Sequence, residues 1–283
     1  MGRASAIASL VLAGLFLTGA AGAADRYFFS SDGVRLHYAE TGGGRTIVMV
    51  PGWTMPAWIF EPQIRAFSEQ YRVVAFDPRS QGDSDVAATG HDPWRRGQDI
   101  AELLDRLGAD PVLLMGWSLG VLDSLAFVHT HGDRRLAGLV LVDNSVGEEP
   151  PPSGSGQAAR PGPKLSRAQQ MHRFVAGMFL RPQPRPWLDR LTEACLHTPP
   201  AAAEALLSYP VPRTYWREAV YSTARPVLYV VRPTWAGQAA NLAARHPNAE
   251  TVVMEGVGHA LFVDDPGRFD RVMQAFIRRR VWP

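Results

Sequence analysis

The chain contains one cysteine in 283 residues, Cys195. No disulfide can close within it, and a chain of this size does not need one. With no thiol partner, Cys195 reads as a small buried apolar residue. No lipid-carrying cysteine follows the N-terminal apolar stretch. An excess of charge of one sign is missing too: 29 Lys and Arg face 27 Asp and Glu, spread along the chain. No basic stripe or arginine-rich arm marks a nucleic-acid partner. The one basic run, Arg278-Arg279-Arg280, falls at the end of an expected last helix, where it complements the helix dipole. There is no phosphate loop, no dinucleotide fingerprint and no clustering of histidines with carboxylates. Neither a cofactor nor a metal is expected.

What is present begins with a targeting pattern. Arg3 supplies a short positive region, an apolar stretch runs from Ala6 to Leu17, and small residues follow through Ala24. Ala21-Gly22-Ala23 has the form of a cleavage signature, so residues 1–24 read as a signal peptide and the protein as secreted or periplasmic. The alternative is an uncleaved membrane anchor, but the apolar part is short for a span and ends in Gly and Ala. The rest, in a chain 46% hydrophobic and 20% charged, fits one large core with an inserted subdomain.

Tyr27 to Tyr38 reads as two short strands joined at Ser31-Asp32-Gly33. Apolar runs of buried-strand length follow at Thr46–Val50, Arg72–Phe76, Val112–Met115, Leu136–Val142, Val227–Val231 and Thr251–Met254. Segments of helical period lie between most of them, such as Ile100, Leu103, Leu104 and Leu107 closed by Gly108. The alternation predicts an α/β fold: a mostly parallel twisted sheet of about eight strands, with helices on both faces. It divides as a core from 25 to 147, an interruption from 148 to 222, and a second core part from 223 to 283. The interruption opens with a Pro-, Gly- and Ser-rich stretch to Lys164 and then turns helical, with a capping box at Ser166 and Gln169. It carries Met171, Phe174, Trp187 and Trp216, and reads as a lid over the strand ends that supplies an apolar pocket.

The strongest chemical signal is Gly116-Trp117-Ser118-Leu119-Gly120, which follows an apolar strand and opens a helix. A serine hydroxyl attacks only if it is exposed, held and deprotonated; a strand–turn–helix elbow does the first two. Of eight histidines, His37 lies in an early strand, His129 and His131 end a helix, and His172 and His197 fall in the lid. His91 and His246 are expected at the surface. Only His259, in Gly256-Val257-Gly258-His259, follows the last strand on a glycine-flanked loop able to bring an imidazole over the elbow.

In these motifs the chain resembles the α/β-hydrolase superfamily, over essentially its whole mature length. Asp77-Pro78-Arg79-Ser80-Gln81-Gly82-Asp83-Ser84 is similar to the family's D-x-R-G-x-G-x-S turn, with Ser80 in place of a glycine. Pro51-Gly52-Trp53-Thr54 stands where the family has a His-Gly turn, with Pro51 replacing the histidine. The resemblance implies an oxyanion hole from the backbone N–H groups of Trp53 and Leu119. It also places an acid after the strand Val227–Val231, where this chain reads Val231-Arg232-Pro233-Thr234-Trp235-Ala236-Gly237 with no Asp or Glu. Some family members carry the acid one strand earlier, and there this chain has Asp143. Asp123, five residues after the nucleophile, is the next candidate, with Glu148 and Glu149 further off. Asp264 and Asp265, with Pro266, look like the start of the last helix.

The expectation is acyl transfer to water: Ser118 as nucleophile, His259 as base, Asp143 orienting the histidine. The substrate is a small ester or lactone with a lipophilic or aromatic group, and the protein a monomer or small homo-oligomer. Epoxide-hydrolase and dehalogenase relatives need a carboxylate at the elbow, where this chain has Ser118. A lyase or C–C hydrolase using the same residues, and a silent binding protein on the same fold, are the alternatives.

Overall fold

The computed structural model describes residues 23–108, 111–151 and 165–283. The expected leader therefore lies outside the described residues except for its last two, as does most of the Pro- and Gly-rich stretch. Eight strands form one sheet: β1 (Ala24–Phe29), β2 (Arg35–Thr41), β3 (Thr46–Val50), β4 (Arg72–Asp77), β5 (Val112–Trp117), β6 (Leu136–Val142), β7 (Val227–Val231) and β8 (Ala249–Val253). Their order is β1-β2-β4-β3-β5-β6-β7-β8. β2 runs antiparallel to β1 and β4, and all other pairings are parallel. The central strands are apolar runs buried on both faces, as a sheet covered by helices requires.

The helices are α1 (Glu61–Phe67), α2 (Pro93–Leu107), α3 (Leu119–His131), α4 (Arg167–Ala176), α5 (Arg185–Leu196), α6 (Pro200–Leu206), α7 (Arg213–Ser222), α8 (Ala236–Arg245), α9 (Leu261–Asp264) and α10 (Pro266–Phe276). Alternation along β5 divides the core in two. Val112 and Leu114 face a layer containing Ile100 and Leu104 of α2, Leu125 of α3, Trp216 and Val220 of α7 and Leu242 of α8. Leu113 and Met115 face the opposite layer, with Phe67 of α1, Phe269 and Met273 of α10, and Met171 and Val175 of α4. Of the helices between β6 and β7, α7 thus belongs to the sheet's own packing, while α4 and α5 sit over the other layer.

Local chemistry sets the helix ends. Gly108 closes α2 in the left-handed region at φ 58°. Ser166 and Gln169 form the expected capping box on α4. Two sequence expectations are corrected: His91 and His246 are buried, not at the surface. The Ser80 hydroxyl partners His91 Nε2 at 2.9 Å, and the Tyr221 ring covers His246. Both partners come from other segments.

In chain order the sheet extends from β3 to β4 on one side, and β5 then joins β3 on the other. The loops leaving β3 and β5 consequently part at the carboxyl ends, which is where an open α/β sheet forms its crevice.

Candidate active site

Ser118 stands in this crevice between β5 and α3, with φ 54° and ψ −118°. A side chain in that region is strained and persists only where its surroundings hold it. Its amide donates to Val142 O at 2.9 Å, and its carbonyl accepts from Asn144 Nδ2 at 2.8 Å. The flanking glycines are required by contact: a Cβ on Gly116 would lie 2.1 Å from Gly120 O, and one on Gly120 2.2 Å from Val50 O. With no Cβ at either, strand and helix close tightly and Oγ is lifted out of the bend.

His259 Nε2 lies 2.8 Å from Ser118 Oγ, and His259 Nδ1 lies 2.6 Å from Asp143 Oδ2. A carboxylate can only accept, so the imidazole proton belongs on Nδ1 and the Nε2 lone pair faces the serine hydroxyl. The histidine loop is fixed from both sides. The buried Trp117 indole donates to His259 O at 2.9 Å, and Gly258 N donates to Asp264 Oδ2 at 2.6 Å. Leu180 N also donates to Asp264 Oδ2, so that carboxylate ties the loop to the chain after α4. Asp264 is thus turned inward, and Asp265 caps α10 by accepting from Arg268 N.

Asp143 follows β6 with φ 52°, its carboxylate fully buried. Its amide donates to Val230 O, which pins it to β7. Oδ1 accepts from Arg232 N at 2.9 Å, and Oδ2 accepts from Arg232 Nε at 2.6 Å alongside the histidine. Arg232 occupies the segment where the sequence resemblance leads one to look for an acid. An arginine and a histidine are thus arranged around one carboxylate, and this arginine was not foreseen from the sequence. Asp123 is not brought to the histidine. It is buried in α3 with its Oδ1 2.8 Å from Arg96 Nε, out of line for a hydrogen bond, and burial pushes its carboxyl up to about 6. Glu148 is also buried, against Arg245.

The wall facing Ser118 is the turn after β3, where a Cβ on Gly52 would lie 3.0 Å from Ser118 Cβ. The backbone N–H groups of Trp53 and Leu119 donate to no acceptor among the described residues. Gln81 shapes this turn. Its Oε1 accepts from Thr54 N at 2.8 Å, and its Nε2 donates to Gly52 O at 3.1 Å. Ser80, which replaces a glycine, takes a positive φ of 64°, with its hydroxyl accepting from Ala87 N. The loop behind it is anchored by the buried Arg79, bidentate to Asp99 at 2.6 and 2.8 Å and bonded to Asp32.

Two cavities open here beneath α4. One of about 580 Å³ is lined by His259, Arg232, Arg173, Phe174 and Met178. The other, of about 350 Å³, lies among Trp53, Met171, Phe174 and Ala203. The Trp53 indole donates to Ala203 O at 2.7 Å and its ring meets Phe174 edge-on, so α4 and α6 are fastened to the wall of the site.

A soluble epoxide hydrolase from Corynebacterium sp. (strain C12) is 35% identical over 111 residues, which are 39% of this chain and 38% of that protein. The chain spans about two-fifths of the length of this and several other curated relatives, non-heme haloperoxidases among them. A pimeloyl-acyl-carrier-protein methyl ester esterase from Xanthomonas axonopodis pv. citri is 26% identical over 261 residues, covering 86% of this chain and 98% of that one. The solved structure of an esterase from Rhodococcus sp. ECU1013 superposes with a TM-score of 0.74 at 24% identity, over 90% of this chain and 99% of that one. The model of the alpha/beta hydrolase family matches residues 47–272, most of the chain and every strand of the sheet from β3 to β8. The chain belongs to the α/β-hydrolase family.

Proposed function

We propose that the protein is a serine hydrolase that cleaves a carboxylic ester or lactone through an acyl-enzyme on Ser118. The observation that carries this is the continuous hydrogen-bonded line from Ser118 Oγ through His259 to Asp143, at 2.8 and 2.6 Å. His259 Nε2 takes the hydroxyl proton as Oγ adds to the carbonyl carbon. The resulting oxyanion is held by the Trp53 and Leu119 amides, assisted by the N-terminus of α3. As the tetrahedral centre collapses, the alcohol leaves with the proton from Nε2. Water then adds to the acyl-enzyme, giving a proton to the same nitrogen, and Ser118 leaves protonated as the acid is released. Asp143 keeps the imidazole oriented and balances its charge while it holds the extra proton.

A serine at the elbow, where a carboxylate would serve epoxide opening, favours ester chemistry. The cavity among Trp53, Met171 and Phe174 suits an apolar group of the ester. A fluorophosphonate probe is expected to label Ser118, with Ser118→Ala taking up no label and losing roughly 10⁵-fold or more in turnover of short p-nitrophenyl esters. Full activity in Ser118→Ala would sink the proposal. Export is proposed from the N-terminal pattern alone. N-terminal sequencing of the periplasmic protein should find a start near Ala24 or Asp25, and an intact Met1 start would favour the anchor instead.

A further inference from the structure

We propose that the cavity beside His259 accepts an ester that also carries a carboxylate, with Arg173 and Arg232 as its binding groups. This rests on the serine-hydrolase reading for what becomes of the ester, though not for the binding of the anion.

The observation begins with a charge imbalance. From residue 150 to residue 188 there is no Asp or Glu, yet there are six basic residues: Arg160, Lys164, Arg167, Arg173, Arg181 and Arg185. Most of those within the described residues are occupied. Arg167 donates to Leu196 O, Arg181 pairs with Asp265, and Arg185 approaches Asp189. The Arg173 guanidinium has no acceptor among the described residues. α4 itself offers no carboxylate, because its sequence RAQQMHRFVA contains no acid. An exposed helical arginine is ordinarily just solvated. Arg173 differs because it lines the same 580 Å³ cavity as His259 and a second arginine from another part of the fold.

That second arginine is Arg232. Its Nε and backbone N–H are committed to Asp143, which fixes the plane of the guanidinium. Nη1 has no acceptor among the described residues, and Nη2 faces only His259 Nδ1, a donor, at 3.4 Å. Among the described residues no carboxylate lines the cavity. Two guanidinium groups, one of them held in place, converge on a space that also presents Phe174 and Met178. Guanidinium forks match carboxylates in geometry as well as charge, and the apolar surface suits the methylenes of a linker. A neutral lipophilic ester leaves both forks unanswered.

The test uses matched esters that differ only in charge: monomethyl and dimethyl esters of the straight-chain diacids from succinate to sebacate. Binding is measured calorimetrically with Ser118→Ala protein, and kcat/KM with the wild-type enzyme. At the best chain length the monoanion should bind the Ser118→Ala protein about tenfold more tightly than the diester. The preference should shrink between 0.05 and 0.5 M NaCl. Adding Arg173→Gln should cut it about tenfold, and Arg173→Lys should restore part of it. Equal binding of monoester and diester at every length, or a preference untouched by Arg173→Gln, overturns the anion site. A monoanion preference in the Ser118→Ala protein, together with no turnover of either ester and no fluorophosphonate labelling of Ser118 in the wild type, upholds the anion site and overturns the serine-hydrolase reading instead.

Discussion

Asp143 accepts from three donors at once, the Arg232 amide, the Arg232 guanidinium and His259 Nδ1, and no water reaches it. An amide in its place has to turn an N–H toward at least one of these donors and cannot fix the imidazole tautomer. Asp143→Asn is therefore expected to lose about 10³- to 10⁴-fold in kcat with an unchanged circular dichroism spectrum, whereas Asp123→Asn keeps most of its turnover. Gln81 offers a second test. It contacts no substrate atom in the mechanism, but it holds the Gly52–Met55 turn that carries the Trp53 N–H. Gln81→Ala should lower kcat by about 10²-fold with little change in KM, because displacement of one oxyanion donor acts on the transition state; an equal rise in KM would assign Gln81 to binding. Neither Gln81 nor Arg232 was legible in the sequence. Each acts through a partner 27 or 89 residues away, and neither belongs to a motif that announces the contact.

The elbow, by contrast, could be read in advance because its cause is local. An apolar strand, two glycines around a serine and a helical period occupy consecutive residues, and the close approaches of Gly116 and Gly120 follow from that order. Gly120→Ala places a Cβ 2.2 Å from Val50 O and 2.8 Å from Pro51 O, both backbone atoms that cannot swing away. α3 must then lift off β3, and urea denaturation should show a loss of roughly 1–3 kcal/mol or more, accompanied by reduced activity. Where local pattern is weak, the reading was less sharp. β8 was expected at Thr251–Met254 and spans Ala249–Val253, since its residues are all half-buried and set no period. The burial of His91 and His246 was likewise invisible, because the Ser80 hydroxyl that meets His91 and the Tyr221 ring that covers His246 come from other segments.

At the scale of the molecule, charges enclosed behind the sheet tie stability to pH. Burial raises the Asp123 carboxyl to about 6, above its unfolded value, so the native state holds a proton that the unfolded chain releases. The stability from that proton is complete below the unfolded value near 3.8 and is lost as pH rises through about 6. Relative to Asp123→Asn, the wild type should thus lose stability between about pH 4 and pH 6.5 and run parallel above that, by denaturation midpoints at each pH. A wild type that instead gains stability over Asp123→Asn as pH rises would mean the Arg96 pairing outweighs burial. The siting of Asp143 has a further consequence, one of assembly order. Ser118 and Asp143 both belong to the unit β5–α3–β6, with Asn144 bridging them, and all of it is synthesised before the interruption begins. A nascent chain that has emerged to residue 147 already contains the proposed nucleophile and acid in one folding unit and awaits β7 with Arg232, and then the histidine. The stretch bearing α4 to α6 is then a cassette, open to exchange with a differently lined one, while the pair it covers stays in register.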